Sequence, residues 1–155
     1  MSEWPVLVVL LRDGRADLDA AAAATRLACA TDEVEVGVVA DAKEAEALLM
    51  AIHQRRPVVA AAAGTGALWS RFVRAAEELA RPVRWETTTL AGLSATQIDL
   101  LWALGDGLRL PAAARVAAVS ERSAHRQLIA ARSLLGARTN SHAATMVREA
   151  IARFG

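Results

Sequence analysis

Two patterns predict a fold in two parts: an α/β module over residues 1–89 and an all-α unit of four helices over residues 90–155. Up to residue 89 short apolar runs alternate with helical periodicities, the signature of βαβαβαβ order around a parallel sheet with right-handed crossovers. From residue 93 the apolar spacing is helical throughout, and Ser, Pro and Gly stand where helices start and stop. Charge divides at the same place. The first part holds 10 Lys and Arg against 13 Asp and Glu, a net −3, and the second 8 Arg against 4 acids, a net +4. That split predicts an anionic partner for the second part, and arginine is the cation suited to phosphates and base edges.

Composition narrows the class. With 54% hydrophobic and 23% charged residues the chain has enough apolar mass to bury a core and is not disordered. No apolar run reaches the roughly 18 residues of a membrane helix, and Val6–Leu11 lacks the length and cleavage site of a secretory signal. The lone Cys29 excludes an internal disulfide, suits a reducing cytoplasm, and reads as a small buried hydrophobe in an alanine-rich helix.

Trp4-Pro5 leads into Val6–Leu11, an uninterrupted apolar run of the kind a strand buried on both faces shows. Arg12-Asp13-Gly14-Arg15 is a turn, and Asp17 to Ala30 is helical. Val34–Val39 is the second strand. Lys43 to Gln54 is a helix with Ala45, Leu48, Leu49 and Ile52 on one stripe. Pro57–Gly64 is the third strand. The helix from about Ala67 to Ala80 turns Leu68, Phe72, Val73, Ala76 and Leu79 inward, and Arg71, Arg74, Glu77 and Glu78 outward. Pro82–Thr87 is the fourth strand. Thr87–Gly92 is too short for a freely swinging linker, so the two parts are expected to touch.

Candidate chemistry in the first part is sparse. Gly64-Thr65-Gly66 after a strand has the position of a phosphate-binding loop, but a lone G-x-G without the rest of a fingerprint is a weak signal, and a tight strand-to-helix turn is the favoured reading. His53, Arg55 and Arg56 complement a helix C-terminus. No metal-ligand spacing and no nucleophile motif occurs, so neither catalysis nor a cofactor is expected.

Leu93-Ser94-Ala95-Thr96-Gln97 is a capping box, with Ser94 as N-cap and Gln97 at N3. That helix runs to about Leu104 and stops at Gly107. Pro111 opens a second helix, in which Ala113, Ala114, Val116 and Ala117 keep the next crossing close. Ala118-Val119-Ser120 is the turn, with Val119 plugging the core and Ser120 capping a third helix, Glu121 to Leu135. Ala124, Leu128, Ala131 and Leu135 form its core stripe. Arg122, His125, Arg126, Ile129 and Arg132 share the opposite face. Arginines can pair with guanine, an apolar tip can meet a thymine methyl, and Ser123 can bond a phosphate. The alternative reading is an ordinary solvated helix face. Ser141 to Phe154 is the fourth helix, capped by Ser141.

Leu93 to Ala144 resembles the LuxR-type (GerE-type) DNA-binding domain, ungapped over about 50 residues. Leu93, Ser94, Gln97, Leu100, Leu101, Leu104, Gly107, Ala114, Val119, Ser120, Ser123, Leu135, Gly136 and Ala143 fill the family's places, several by conservative replacement. The resemblance implies a cytoplasmic bacterial transcriptional regulator that reads double-stranded DNA through the third helix. It implies base contacts by His125, Arg126 and Ile129 and phosphate contacts by Arg122, Ser123 and Arg138, with Ser120 and Arg132 completing the interface. It also implies a homodimer paired through the fourth helix, at Val147, Ala150, Ile151 and Phe154. His125 stands where the family has lysine, Gln127 where it has histidine, and Ala113 where it has isoleucine, which bears on specificity more than on fold.

The first part resembles a truncated, degenerate response-regulator receiver domain, through Val38–Ala45 and Pro57-Val58-Val59. Receivers carry a phosphoacceptor aspartate where this chain has Ala61-Ala62-Ala63-Gly64, and an acidic pair where only Asp13 is available. The last strand, helix and lysine are missing. Aspartyl phosphorylation is therefore not expected, and the module could answer to a small molecule, a partner protein or its own twin. A second functional reading is an interaction protein whose helix-turn-helix has lost DNA binding and contacts another regulator or RNA polymerase.

Overall fold

The structure is a computed structural model describing residues 6–12, 17–64 and 66–154. Trp4 and Pro5, Asp13 to Arg15 of the expected first turn, and Thr65 lie outside the described residues. In chain order the first part is β1 (Val8–Leu11), α1 (Leu18–Cys29), β2 (Glu35–Val39), α2 (Ala42–His53), β3 (Val58–Ala62), α3 (Ala67–Leu79) and β4 (Val83–Arg84). The second is α4 (Ala95–Gly105), α5 (Leu110–Val116), α6 (Glu121–Leu135) and α7 (Asn140–Ala152). The expected alternation of strands and helices and the four helices after them are all present.

The strands form one parallel sheet in the order β2-β3-β1-β4. β1 and β3, which contain no polar residue, take the centre, and every residue in them is buried. β2, with Glu35 and an exposed Val36, takes an edge. This order corrects the receiver-like expectation. In a receiver β1 lies between β2 and β3; here β1 lies between β3 and β4, and the connection through α1 passes over β3 to reach the far edge. Strand hydropathy sorts central from edge strands but does not choose among neighbours, so this topology was not readable from the pattern.

The fourth strand is also shorter than expected. Only Val83 and Arg84 pair with β1; Trp85–Thr87 then tightens into a 3₁₀ turn, with Thr88 N–H bonded to the Trp85 carbonyl at 3.0 Å.

Alternation along the central strands divides the core into two layers. Val8, Leu10, Val58 and Ala60 meet Leu48, Ile52, Phe72 and Ala76 of α2 and α3. Leu79, expected on that inward face, is instead 47% exposed and takes no part in that cluster. Gly37 lets α2 approach β2 closely: a Cβ there would lie 3.0 Å from Leu48 Cδ2, so the leucine would have to shift by a few tenths of an ångström.

Val9, Leu11, Val59 and Ala61 face α1, and α1 in turn packs on α4 and α7. Its Ala20 to Thr25 are buried without interruption, because the helix is enclosed by the sheet on one side and the helical unit on the other. Alanine keeps both approaches short, and the Thr25 hydroxyl is satisfied by donating to the Ala21 carbonyl at 2.7 Å. One apolar cluster therefore runs from the sheet through α1 into α4–α7, with Trp85, Leu90 and Leu93 stitching the connecting segment into it. Trp85 stands edge-on to Phe154, ring centroids 6.2 Å apart, and its indole N–H is buried without a partner. The expected contact between the two parts is present.

Candidate nucleic-acid interface

Each helix of the second part begins with a local reason. Ser94 Oγ accepts from Gln97 N–H at 3.1 Å, and Gln97 Oε1 accepts from Ser94 N–H at 2.9 Å, closing the capping box. The buried Gln97 also donates to Gln127 Oε1 at 3.1 Å, tying α4 to α6. Gln127, which departs from the family pattern, is thus half-buried and turned toward α4. Pro111 lies in the first turn of α5, where no N–H is required. Ala118 holds the following turn at φ 56°, and Ser120 Oγ caps α6 by accepting from Ser123 N–H at 3.1 Å. Gly136, at φ 67°, ends α6, with Ala137 N–H bonded to the Arg132 carbonyl at 2.9 Å. α7 begins one residue before the expected Ser141 cap: Thr139 Oγ1 caps it by accepting from His142 N–H at 3.0 Å.

α6 packs on α4, α5 and α7 through buried Ala124, Leu128 and Ala131, with Leu135 half-buried against the same cluster. Arg122, His125, Arg126 and Ile129 are exposed on the other side, Ile129 at 47%. Ser120 and Arg138 are exposed at the two ends of the helix, and Ser123 is half-buried. These residues form one outward surface over the length of α6. Arg132 differs from the others. It is half-buried and its guanidinium donates to the Arg138 carbonyl at 3.4 Å, bracing the turn between α6 and α7.

The residues expected to pair protomers are not on the surface. Val147, Ala150, Ile151 and Phe154 are buried in this chain's own core, none more than 7% exposed. The stripe is wide because α7 serves three neighbours, α4, α6 and α1. Its outer face is Ser141, His142, Thr145 and Glu149, which is polar. The assignment of those four side chains to a dimer interface is therefore corrected: their apolar area is spent within the protomer.

Several contributors carry no local sequence signal. Arg148 donates to the Trp102 carbonyl at 2.9 Å, lies over the Trp102 ring at 4.2 Å from its centroid, and pairs with Asp106. It runs directly over Gly105, where a Cβ would fall on its Nε. This bracket fixes α7 against α4, its partners more than 40 residues away in sequence. Asp99 on α4 is half-buried toward α1. Desolvation raises its carboxyl pKa above the ordinary range, and the positive charge of Arg26 on α1 partly offsets the rise. Cys29 is likewise half-buried, and burial raises its thiol pKa.

The Gly64–Gly66 stretch leads into α3, with Gly66 as an N-cap that offers no side-chain bond. Neither glycine has a left-handed φ, and a Cβ at either position would meet nothing within 4 Å. Among the described residues no group of three His, Cys, Asp or Glu is placed to hold a metal ion, and no helix is long and apolar enough to cross a membrane.

The fold and this surface define a parallel sheet joined through a buried helix to four further helices, α4 to α7, with an arginine-bearing outer face on α6. No protein-family model, curated protein or solved structure matches the chain.

Proposed function

We propose that this chain is a cytoplasmic bacterial transcriptional regulator of LuxR type that lays α6 in the major groove of double-stranded DNA. The observation that carries the reading is the placement of Arg122, His125, Arg126 and Ile129 together on the solvent side of a capped helix, behind a tight turn. In this reading Arg126, His125 and Ile129 meet base edges, and Arg122, Ser123 and Arg138 meet phosphates. Ser120 and Arg132 hold the two ends of the helix. Two half-sites call for a homodimer, paired through surface other than the four buried residues of α7. The α/β unit is the regulatory part and works without aspartyl phosphate.

A second reading has an observation of its own: Val116 and Leu134, on α5 and α6, are 62% and 61% exposed. Apolar side chains there suit contact with another regulator or RNA polymerase.

Selection of bound fragments from genomic DNA, followed by titration over a salt series, separates the two. DNA binding weakens as salt rises, with a log–log slope of about −0.9 per neutralised phosphate. Arg126→Ala is expected to cost about 1–3 kcal/mol on the selected site alone, and Arg138→Ala to weaken all sequences alike and flatten the slope by about 1. Binding unchanged in both variants removes the groove assignment. No selected fragment, with a protein partner captured through Val116 and Leu134, favours the second reading.

A further inference from the structure

The chain leaves β1 toward α1 on one face of the sheet and leaves β3 toward α3 on the other. Adjacent parallel strands whose connections part in this way open a crevice at their carboxyl ends, the position where open α/β sheets bind small molecules. Two cavities lie along that edge. One, about 410 Å³, is lined by Leu10, Arg12, Trp69, Arg84, Glu86 and Thr87. The other, about 240 Å³, is lined by Val39, Ala63, Gly64, Gly66, Leu68 and Trp69 among others. Trp69, stacked on Phe72 at 5.6 Å, is common to both. The larger falls within the roughly 300–1,000 Å³ of ligand clefts.

We propose that this crevice binds a small planar carboxylate, which lies along Trp69 and Leu10 with its charged end on Arg12. The polar groups of the lining decide the class. Arg84 is paired with Glu77 at 3.2 Å, and the Glu86 carboxylate accepts the backbone N–H of Arg12. The Thr87 hydroxyl donates to the Arg84 carbonyl at 2.8 Å. Of the charged side chains that line this cavity, the Arg12 guanidinium alone has neither an ion pair nor a hydrogen bond, which leaves one planar, twin-donor cation to be matched. A carboxylate matches it in charge and shape, whereas a phosphate dianion would set its second charge against Glu86. Trp69 and Leu10 supply the apolar wall for a ring or short chain.

The site is continuous with the helical unit. Glu86 and Thr87, which line the crevice, share a 3₁₀ turn with Trp85, whose ring packs on Phe154 just beyond α7. A ligand that fixes this turn fixes the Trp85 contact. The consequence for DNA rests on the function proposed above; occupancy of the crevice does not.

The test uses the full chain without DNA. Benzoate, uncharged benzamide and inorganic phosphate are each titrated while backbone and indole N–H resonances are followed by heteronuclear NMR. Saturable shifts at Trp69, Arg12 and Thr87 with benzoate are expected, and Arg12→Gln should weaken them roughly tenfold with the thermal midpoint unchanged. Trp69→Leu should weaken benzoate and benzamide alike. Benzamide binding as tightly as benzoate, phosphate binding more tightly, shifts centred elsewhere, or Arg12→Gln binding unaltered would each overturn the proposal. A positive result with no fragment selected from genomic DNA would leave the site standing and remove the DNA reading alone.

Discussion

Asp99 is a carboxylate placed where α4 meets α1, half out of water and facing a single arginine at a distance. Desolvation outweighs the Arg26 attraction, so the folded-state pKa is raised and folding favours the protonated acid. The sign follows by linkage: ionisation opposes folding, the penalty is complete above the folded pKa, and it vanishes below the unfolded one. Asp99→Asn is therefore expected to raise the urea midpoint at neutral pH, with the gain shrinking to nothing as pH falls below the ordinary carboxylate range. A gain that persists in acid would show that charge is not the cause. At this scale the sequence was partly legible. The exposed face of α6 followed from its own spacing, since solvent facing is a property of one helix. Arg132 and the α7 residues did not, because a guanidinium turned back to a carbonyl and a stripe shared among three neighbours are tertiary facts.

The turn between α5 and α6 sets the angle at which α6 is presented, and it bends at a residue poorly suited to it. Ala118 has φ 56°, in the left-handed region, where a Cβ costs about 1–2 kcal/mol and glycine pays no steric penalty. Ala118→Gly is accordingly expected to stabilise the chain by about 0.5–1 kcal/mol, after the entropy glycine gains in the unfolded state is deducted. Chemical denaturation with an unchanged m-value measures this, and a loss of stability would mean that the Ala118 methyl makes a packing contact of greater worth. Helices with their own signals were placed to within a residue or two: the capping box at Ser94, Pro111 in α5, the Ser120 cap and the stripe of α2. α1 was found as a helix but not as the centre of the molecule. A run of alanines has no stripe, and its uniform burial follows only when a sheet and a second unit close on it from opposite sides.

At the scale of the whole molecule, the pattern of the sequence implies two modules divided at residue 89, yet the hydrophobic interior does not divide there. Periodicity reports which face of an element is apolar; it does not report which neighbour covers that face. Nor does it fix the order of the strands, so neither the shared core nor β2-β3-β1-β4 could be drawn from it. A single apolar cluster joining Val9 and Val59 to Leu100, Leu128 and Ile151 predicts that the chain unfolds as one unit, with calorimetric and van't Hoff enthalpies equal. Trp85 is the point at which to test this, since it is 1% exposed between β4 and α7. Trp85→Ala removes its contact with Phe154 and is expected to cost about 3–5 kcal/mol. Trp85→Phe should cost well under half of that, because it keeps an aromatic ring and removes an unpartnered indole N–H. If the connecting turn is what couples the sheet to the helical unit, the alanine variant will also broaden or split the transition while the phenylalanine variant stays single. Two transitions in the unmodified chain would show instead that α1 belongs to one side only, and that the continuous core does not make a cooperative molecule.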